Sequence, residues 1–285
     1  RVFSKQVAQM FALATLLYLI GGIIALRDLM GEKQAKNPGP AACALGGFVL
    51  HSLSLGWEWV GQSQIQISGP SQILSFMAWC AVLLFLIGYH LFKKPAALTS
   101  FFMPVVVVLA VVAEAIHVVP PQPDADRSGW WMVHGVMMLL GYGAFAVACV
   151  TGVMYLVQEH HLKAKITGKL FQRLPSLAAL ERMNVLAIGF GFTLYTVSLI
   201  AAAVGLGAKS SSPVEWVSTP LGVVTVLTWI LYLIAVNVRF LAALRGKKIA
   251  FITIMGFVLV LFTLGIIFSV DNVHAMGVVA GGPQP

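Results

Sequence analysis

Seven histidines mark the chemistry this chain could carry out, and four of them form a pattern. His51, His117, His134 and His274 lie within or at the ends of separate apolar runs. His134 stands in RSGWWMVHG, behind Arg127, Trp130 and Trp131. His274 stands in DNVHAMG, 140 residues later. Neutral imidazole is the commonest metal ligand, and ionisable groups at membrane depth face an interior or a cavity. Zinc would want a tight set of His, Cys, Asp and Glu. Here the acids Glu58, Glu114, Asp124, Asp126, Glu215 and Asp271 are scattered. Glu114 and His117 make one Glu-x-x-His pair, whereas a di-metal carboxylate site needs two with further glutamates. Apolar, aromatic surroundings suit haem held by axial imidazoles better. His90, His160 and His161 sit among lysines and read as interfacial or solvated.

The elements that position these histidines follow from composition. The 285 residues are 59% hydrophobic and 10% charged, against about 25% charged for a soluble domain. A hydrocarbon core about 30 Å thick needs roughly 20 apolar residues per helix. Apolar runs of that kind predict helices near 6–26, 41–57, 71–92, 97–118, 131–157, 183–206, 217–244 and 249–269. Pro70, Pro104 and Pro220 fall near helix starts, where proline is tolerated. The expected fold is an all-α, polytopic membrane bundle of about eight transmembrane helices, one domain over 1–285. The runs are too long, and alternate too little, for an outer-membrane barrel. The first run reads as a true span rather than a cleavable signal peptide.

Fourteen of the eighteen Lys and Arg fall after the odd-numbered runs: Arg27, Lys33, Lys36, Lys93, Lys94, Lys163, Lys165, Lys169, Arg173, Arg182, Arg239, Arg245, Lys247 and Lys248. Arg1, Lys5, Arg127 and Lys209 fall on the other side. The positive-inside rule then places both termini outside, in a bacterial-type cytoplasmic (inner) membrane. Topology thus accounts for the net charge of +8, and no nucleic-acid partner is expected. Five of seven tryptophans, Trp57, Trp59, Trp130, Trp131 and Trp216, map to the outer side. They read either as an interfacial belt or as a platform for a large planar ligand. Cys43, Cys80 and Cys149 lie far apart in apolar segments and read as core residues. With no CxxCH, the chain carries no covalent c-type haem of its own.

Several segments resemble, in order and spacing, the cytochrome c assembly family, the haem-handling membrane proteins of the CcsA/CcmC/HemX type. HSLSLGWEW followed by GPSQILSFMAWCAVLLFLIGY is similar to the family's second and third helices. VHGVMMLLGYGAFAVACVTGVMYLVQEHHLK resembles the helix that opens on an outer histidine. LPSLAALERMNVLAIGFGFTLYTVSL resembles the LPxLxxxE segment and its helix. VLTWILYLIAVNVRFLAALRGKKIAFITIMGFVLVLFT and NVHAMG resemble the last two helices and the closing outer histidine.

The resemblance implies that His134 and His274 are the outer axial pair flanking a tryptophan-rich loop. The family's loop reads roughly W-x-W-D-P-K-E-x-W, and here EWVSTPLGVVTVLTW stands in its place. Trp216, Pro220 and Trp229 match, while Ser218, Thr219, Leu221 and Gly222 replace the second Trp, the Asp, the Lys and the Glu. Asn237 stands where full haem-transferring members carry a second membrane histidine, and His51 matches that histidine's partner. Asn237 is then a candidate hydrogen-bond partner for His51. The expected cofactor is non-covalent b-type haem. Its candidate contacts are His134, His274, Trp130, Trp131, Trp216, Arg127, His51 and His117; the metal ligands are His134 and His274, and no catalytic residue is assigned. Arg127 suits a propionate. At least one of Glu114, Glu215 and Asp271 is expected to accept a hydrogen bond from a ligand histidine. Holding or relaying haem at the outer face is the function implied. The partners implied are an extracytoplasmic cytochrome c or apocytochrome, other membrane subunits and the lipid bilayer. Two alternatives stay open: a haem b electron-transfer subunit of a quinol/cytochrome c complex, and a haem-free HemX-like scaffold.

Overall fold

A computed structural model describes residues 2–31, 37–62, 70–91, 95–116, 129–166, 168–208, 216–237 and 246–280. The side chains of 2–4, 61–62, 70, 90–91, 95–96, 169, 207–208 and 268–280 lie outside this description. Among the described residues there are nine α-helices and no strand: α1 (Val2–Met30), α2 (Gly39–Gln62), α3 (Pro70–Leu91), α4 (Pro95–Ala115), α5 (Gly129–Lys163), α6 (Lys169–Arg173), α7 (Leu177–Ala208), α8 (Pro220–Val236) and α9 (Lys247–Ala280). Backbone hydrogen bonding inside each segment is what permits spanning in lipid. Seven helices are long and apolar enough to cross a membrane, and α8 is a shorter apolar helix of 17 residues. That length sits at the lower end of the spanning range.

The helices outrun the apolar runs that announce them. α5 has 35 residues, about 52 Å at 1.5 Å per residue, well beyond a 30 Å core. α9 continues to Ala280, so His274 lies inside a helix and not in a loop after it. Between Ile266 and Met276 there is no Gly or Pro to stop it. The basic stretch 169–182 is not all loop either. It forms α6 and the first turns of α7, where Ser176 Oγ accepts from the Ala179 N–H at 3.3 Å as an N-cap.

Two groups of four helices form the bundle. In the first, α1 packs on α2 and α4, and α3 on α4; in the second, α5 packs on α7 and α9, and α8 on α9 and α7. The groups meet chiefly along α3 and α5, and one buried cluster crosses that seam from Leu55 and Phe76 to Tyr142, Tyr195 and Tyr232. Lipid supplies no hydrophobic drive between helices, so close packing and buried hydrogen bonds hold them. At Gly152, a Cβ would lie 3.1 Å from the Ala250 carbonyl oxygen, so only glycine lets α5 approach α9 this closely. One turn away the buried Asn184 amide donates to the Ala148 carbonyl at 2.7 Å and to the Thr151 and Thr253 hydroxyls, tying α7 to α5 and α9. Large apolar side chains such as Ile23, Val60 and Phe262 face outward, as lipid contact requires. At the end carrying the basic segments, Arg173 of α6 donates to the carbonyls of Asp28 and Leu29, capping the C-terminus of α1.

Candidate functional site

The tryptophan-rich ends of α5 and α7 meet around His134. Gly129 to Gly135 form the first turns of α5, which fixes Trp130, Trp131 and His134 on adjoining positions of one helix end. The ring Nδ1 of His134 lies 3.0 Å from both the carbonyl oxygen and the hydroxyl oxygen of Ser198 on α7. A carbonyl only accepts, so Nδ1 carries the hydrogen and donates. In a neutral imidazole the lone pair then belongs to Nε2. Among the described residues no hydrogen bond engages Nε2. Ser198 is fully buried, and its hydroxyl donates to the His134 carbonyl at 3.0 Å, so backbone and ring are gripped by one residue. This is the tautomer a metal-binding Nε2 requires, set by the bond its other nitrogen makes.

Aromatic side chains wall the same spot. The Trp131 ring stands edge-on to the imidazole at 85°, with centroids 5.7 Å apart. On α7, Gly205 packs beside it, where a Cβ would sit in ordinary contact 3.4 Å from the indole nitrogen of Trp131. That indole N–H is buried without an acceptor among the described residues. A buried donor without a partner costs about 1–3 kcal/mol, which a ligand acceptor would recover. Trp130 is 49% exposed at the helix end. An unengaged imidazole lone pair, an orphaned N–H donor and exposed indole surface fit a planar, metal-bearing, acid-substituted group such as haem.

His274 is brought to a similar depth. Gly152 of α5 faces Ala250 and Thr253 of α9, and the two helices run antiparallel. His134 is 18 residues from Gly152 towards the tryptophan end, about 27 Å of helix. His274 is 21 residues beyond Thr253, about 32 Å, so the two positions differ in height by roughly one turn. Trp216 begins the short turn before α8, where Thr219 is the N-cap: its hydroxyl accepts from the Gly222 N–H at 3.1 Å, with Pro220 at the first helical position. The expected Asp at this position would cap in the same way, so the replacement keeps the helix start. Trp229 donates its indole N–H to Thr196 at 3.0 Å, joining α8 to α7.

His51 belongs to the other helix group. It is wholly buried, with Nδ1 3.3 Å from the Tyr18 hydroxyl, Nε2 3.0 Å from the Ser75 hydroxyl, and the Phe11 ring 4.8 Å away. Both ring nitrogens are therefore engaged. Asn237 is not among its partners; that amide donates to Leu233 in its own helix at 2.7 Å. Glu114 accepts from Thr15 at 3.0 Å. His117, Arg127 and Glu215 lie outside the described residues, as do the side chains of His274 and Asp271. Among the described residues no cluster of three His, Cys, Asp or Glu could hold a metal ion. The three cysteines are free. Sequence reading passed over Ser198 and Asn184. The signal was a lone polar residue inside an apolar run, but its partner becomes visible only in three dimensions.

Comparison with known proteins bears on the same stretch. The family model for "Cytochrome C assembly protein" matches residues 67–274, which holds His134 and His274 and begins after His51. "Cytochrome c biogenesis protein CcsA" of Guillardia theta is 25% identical, covering 79% of this chain and 81% of that protein. The protein of that name from Mesostigma viride is 22% identical, covering 80% and 82%. In Chlamydomonas reinhardtii the identity is 24%, with 77% of this chain and 63% of that longer protein covered.

Proposed function

Because the chain belongs to the cytochrome c assembly protein family, we propose that it holds or relays non-covalent haem for cytochrome c assembly at the outer membrane face. The observation that carries this reading is the His134–Ser198 clamp, which leaves Nε2 as the free lone pair beside an aromatic wall. His134 would ligate from α5 and His274 from α9. Trp130, Trp131 and Trp216 would cover porphyrin faces, the Trp131 N–H would meet an acceptor at its edge, and Arg127 would pair with a propionate. Held by these two imidazoles, haem would supply an iron centre suited to transfer of haem or electrons and unsuited to oxygen chemistry. The thiols for covalent attachment would come from a partner apocytochrome with CxxCH, since this chain has none. Other membrane subunits complete the setting. Both termini face outward from a bacterial-type cytoplasmic membrane on the fourteen-to-four basic split.

One observation favours a second reading, a fixed haem b electron-transfer subunit. Between Trp216 and Trp229 no charged residue remains, where the resembled loop carries Asp, Lys and Glu. Absorption spectra of the purified protein, with and without dithionite, decide between them. Substoichiometric haem that exchanges with added haem supports assembly. Stoichiometric, non-exchanging haem supports the electron-transfer subunit. Absence of haem after reconstitution rejects both.

A further inference from the structure

Starting about 15 Å along α5 from His134 and extending towards the end that carries the basic segments, an apolar groove of about 160 Å³ opens between α3, α4, α5 and α7. Only apolar residues line it, among them Phe85, Gly88, Phe102, Val147, Met183 and Phe190. Gly88 is three residues from the end of α3, Leu98 three into α4, and Met183 six into α7, so the groove lies in the basic half of the bundle. An apolar cavity of about this size holds a benzene ring, so it takes a short stretch of hydrocarbon chain. Leu186, Phe190 and Ile87 at its rim stay 57%, 50% and 51% exposed, which extends the apolar track outward.

The charge beside the groove names the occupant. Met183, Leu186, Ala187 and Phe190 form one stripe of α7, and Arg182 lies one turn before Leu186 along it. Arg182 is exposed, and no hydrogen bond or ion pair engages it among the described residues. α7 has 32 residues, about 48 Å, so a position in its second turn reaches the interface. We propose that the groove seats one acyl chain of an anionic phospholipid whose phosphate rests on Arg182. Guanidinium matches phosphate oxygens in a paired geometry, which a zwitterionic lipid's trailing cation would oppose. The site lies away from His134 and stands whether or not the protein holds haem.

The test is native mass spectrometry of the full chain released from vesicles of phosphatidylcholine doped with phosphatidylglycerol, beside Arg182→Gln and Ala187→Phe. The wild type should keep about one phosphatidylglycerol per chain. Arg182→Gln should keep about five-fold less, the worth of one basic residue at an anionic surface. Ala187→Phe should keep none, and because a core variant can misfold, the surface Arg182→Gln carries the test alone if it does. Equal retention of phosphatidylcholine, an unchanged Arg182→Gln, or an isoprenoid quinone recovered from native membranes in place of phospholipid would each overturn the proposal.

Discussion

The half of the molecule built from α1–α4 surrounds His51 with hydroxyls on both ring nitrogens. The half built from α5, α7, α8 and α9 sets both the carbonyl and the hydroxyl oxygen of Ser198 against one nitrogen of His134 and leaves the other free among the described residues. Hydroxyls donate or accept as needed, so His51 is satisfied in either tautomer and works as a pin between α1, α2 and α3. A carbonyl permits one tautomer only, and it aims a lone pair. Depth in the membrane therefore does not separate His134 from His51. The chemistry of the partner does.

The largest effect expected from breaking this contrast is on His51. Replacing it with alanine strands the Tyr18 and Ser75 hydroxyls and opens a cavity, at a cost of about 2–4 kcal/mol. Thermal unfolding in detergent measures that loss, while haem per folded chain should stay at the wild-type level. A specific loss of the Soret signal would move His51 into the haem site. Next comes Ser198→Ala. It keeps the carbonyl partner but removes the hydroxyl that grips the His134 backbone, and haem affinity should fall by about ten-fold, the lower range for losing an outer partner of a ligand histidine. Haem titration checks this, and an unchanged dissociation constant would leave the clamp without a role.

Much of the fold was legible because lipid demands it. Runs of apolar residues set the seven helices of spanning length and the shorter α8, and Ser-Thr-Pro before an apolar run marks the start of α8. The last turns of α9 were not legible, since Asp271, Asn272 and His274 read as loop polarity although nothing there stops a helix. Trp131 and His134 could be read as neighbours from one helix end. Their link to Ser198 could not, because 64 residues and a full antiparallel return separate the two. The Asn184 clamp escaped for the same reason.

Smaller effects sharpen the comparison further. Thr219→Ala should remove the α8 cap and cost about 1 kcal/mol, whereas Thr219→Asp should restore it. Thermal melts of the two variants check this, and equal melts would mean the cap contributes nothing. Orientation should be insensitive to all of these substitutions. A cysteine introduced near Lys169 should resist a membrane-impermeant thiol reagent in intact cells, and labelling there would reverse the topology.

The central claim is that Nε2 of His134 is the axial ligand, and it has a direct test. His134→Gly removes the imidazole while leaving the backbone carbonyl that Ser198 grips. Haem-reconstituted His134→Gly should lose the low-spin, six-coordinate spectrum, and added free imidazole should bring it back. A variant that keeps the wild-type low-spin spectrum without imidazole would contradict the account.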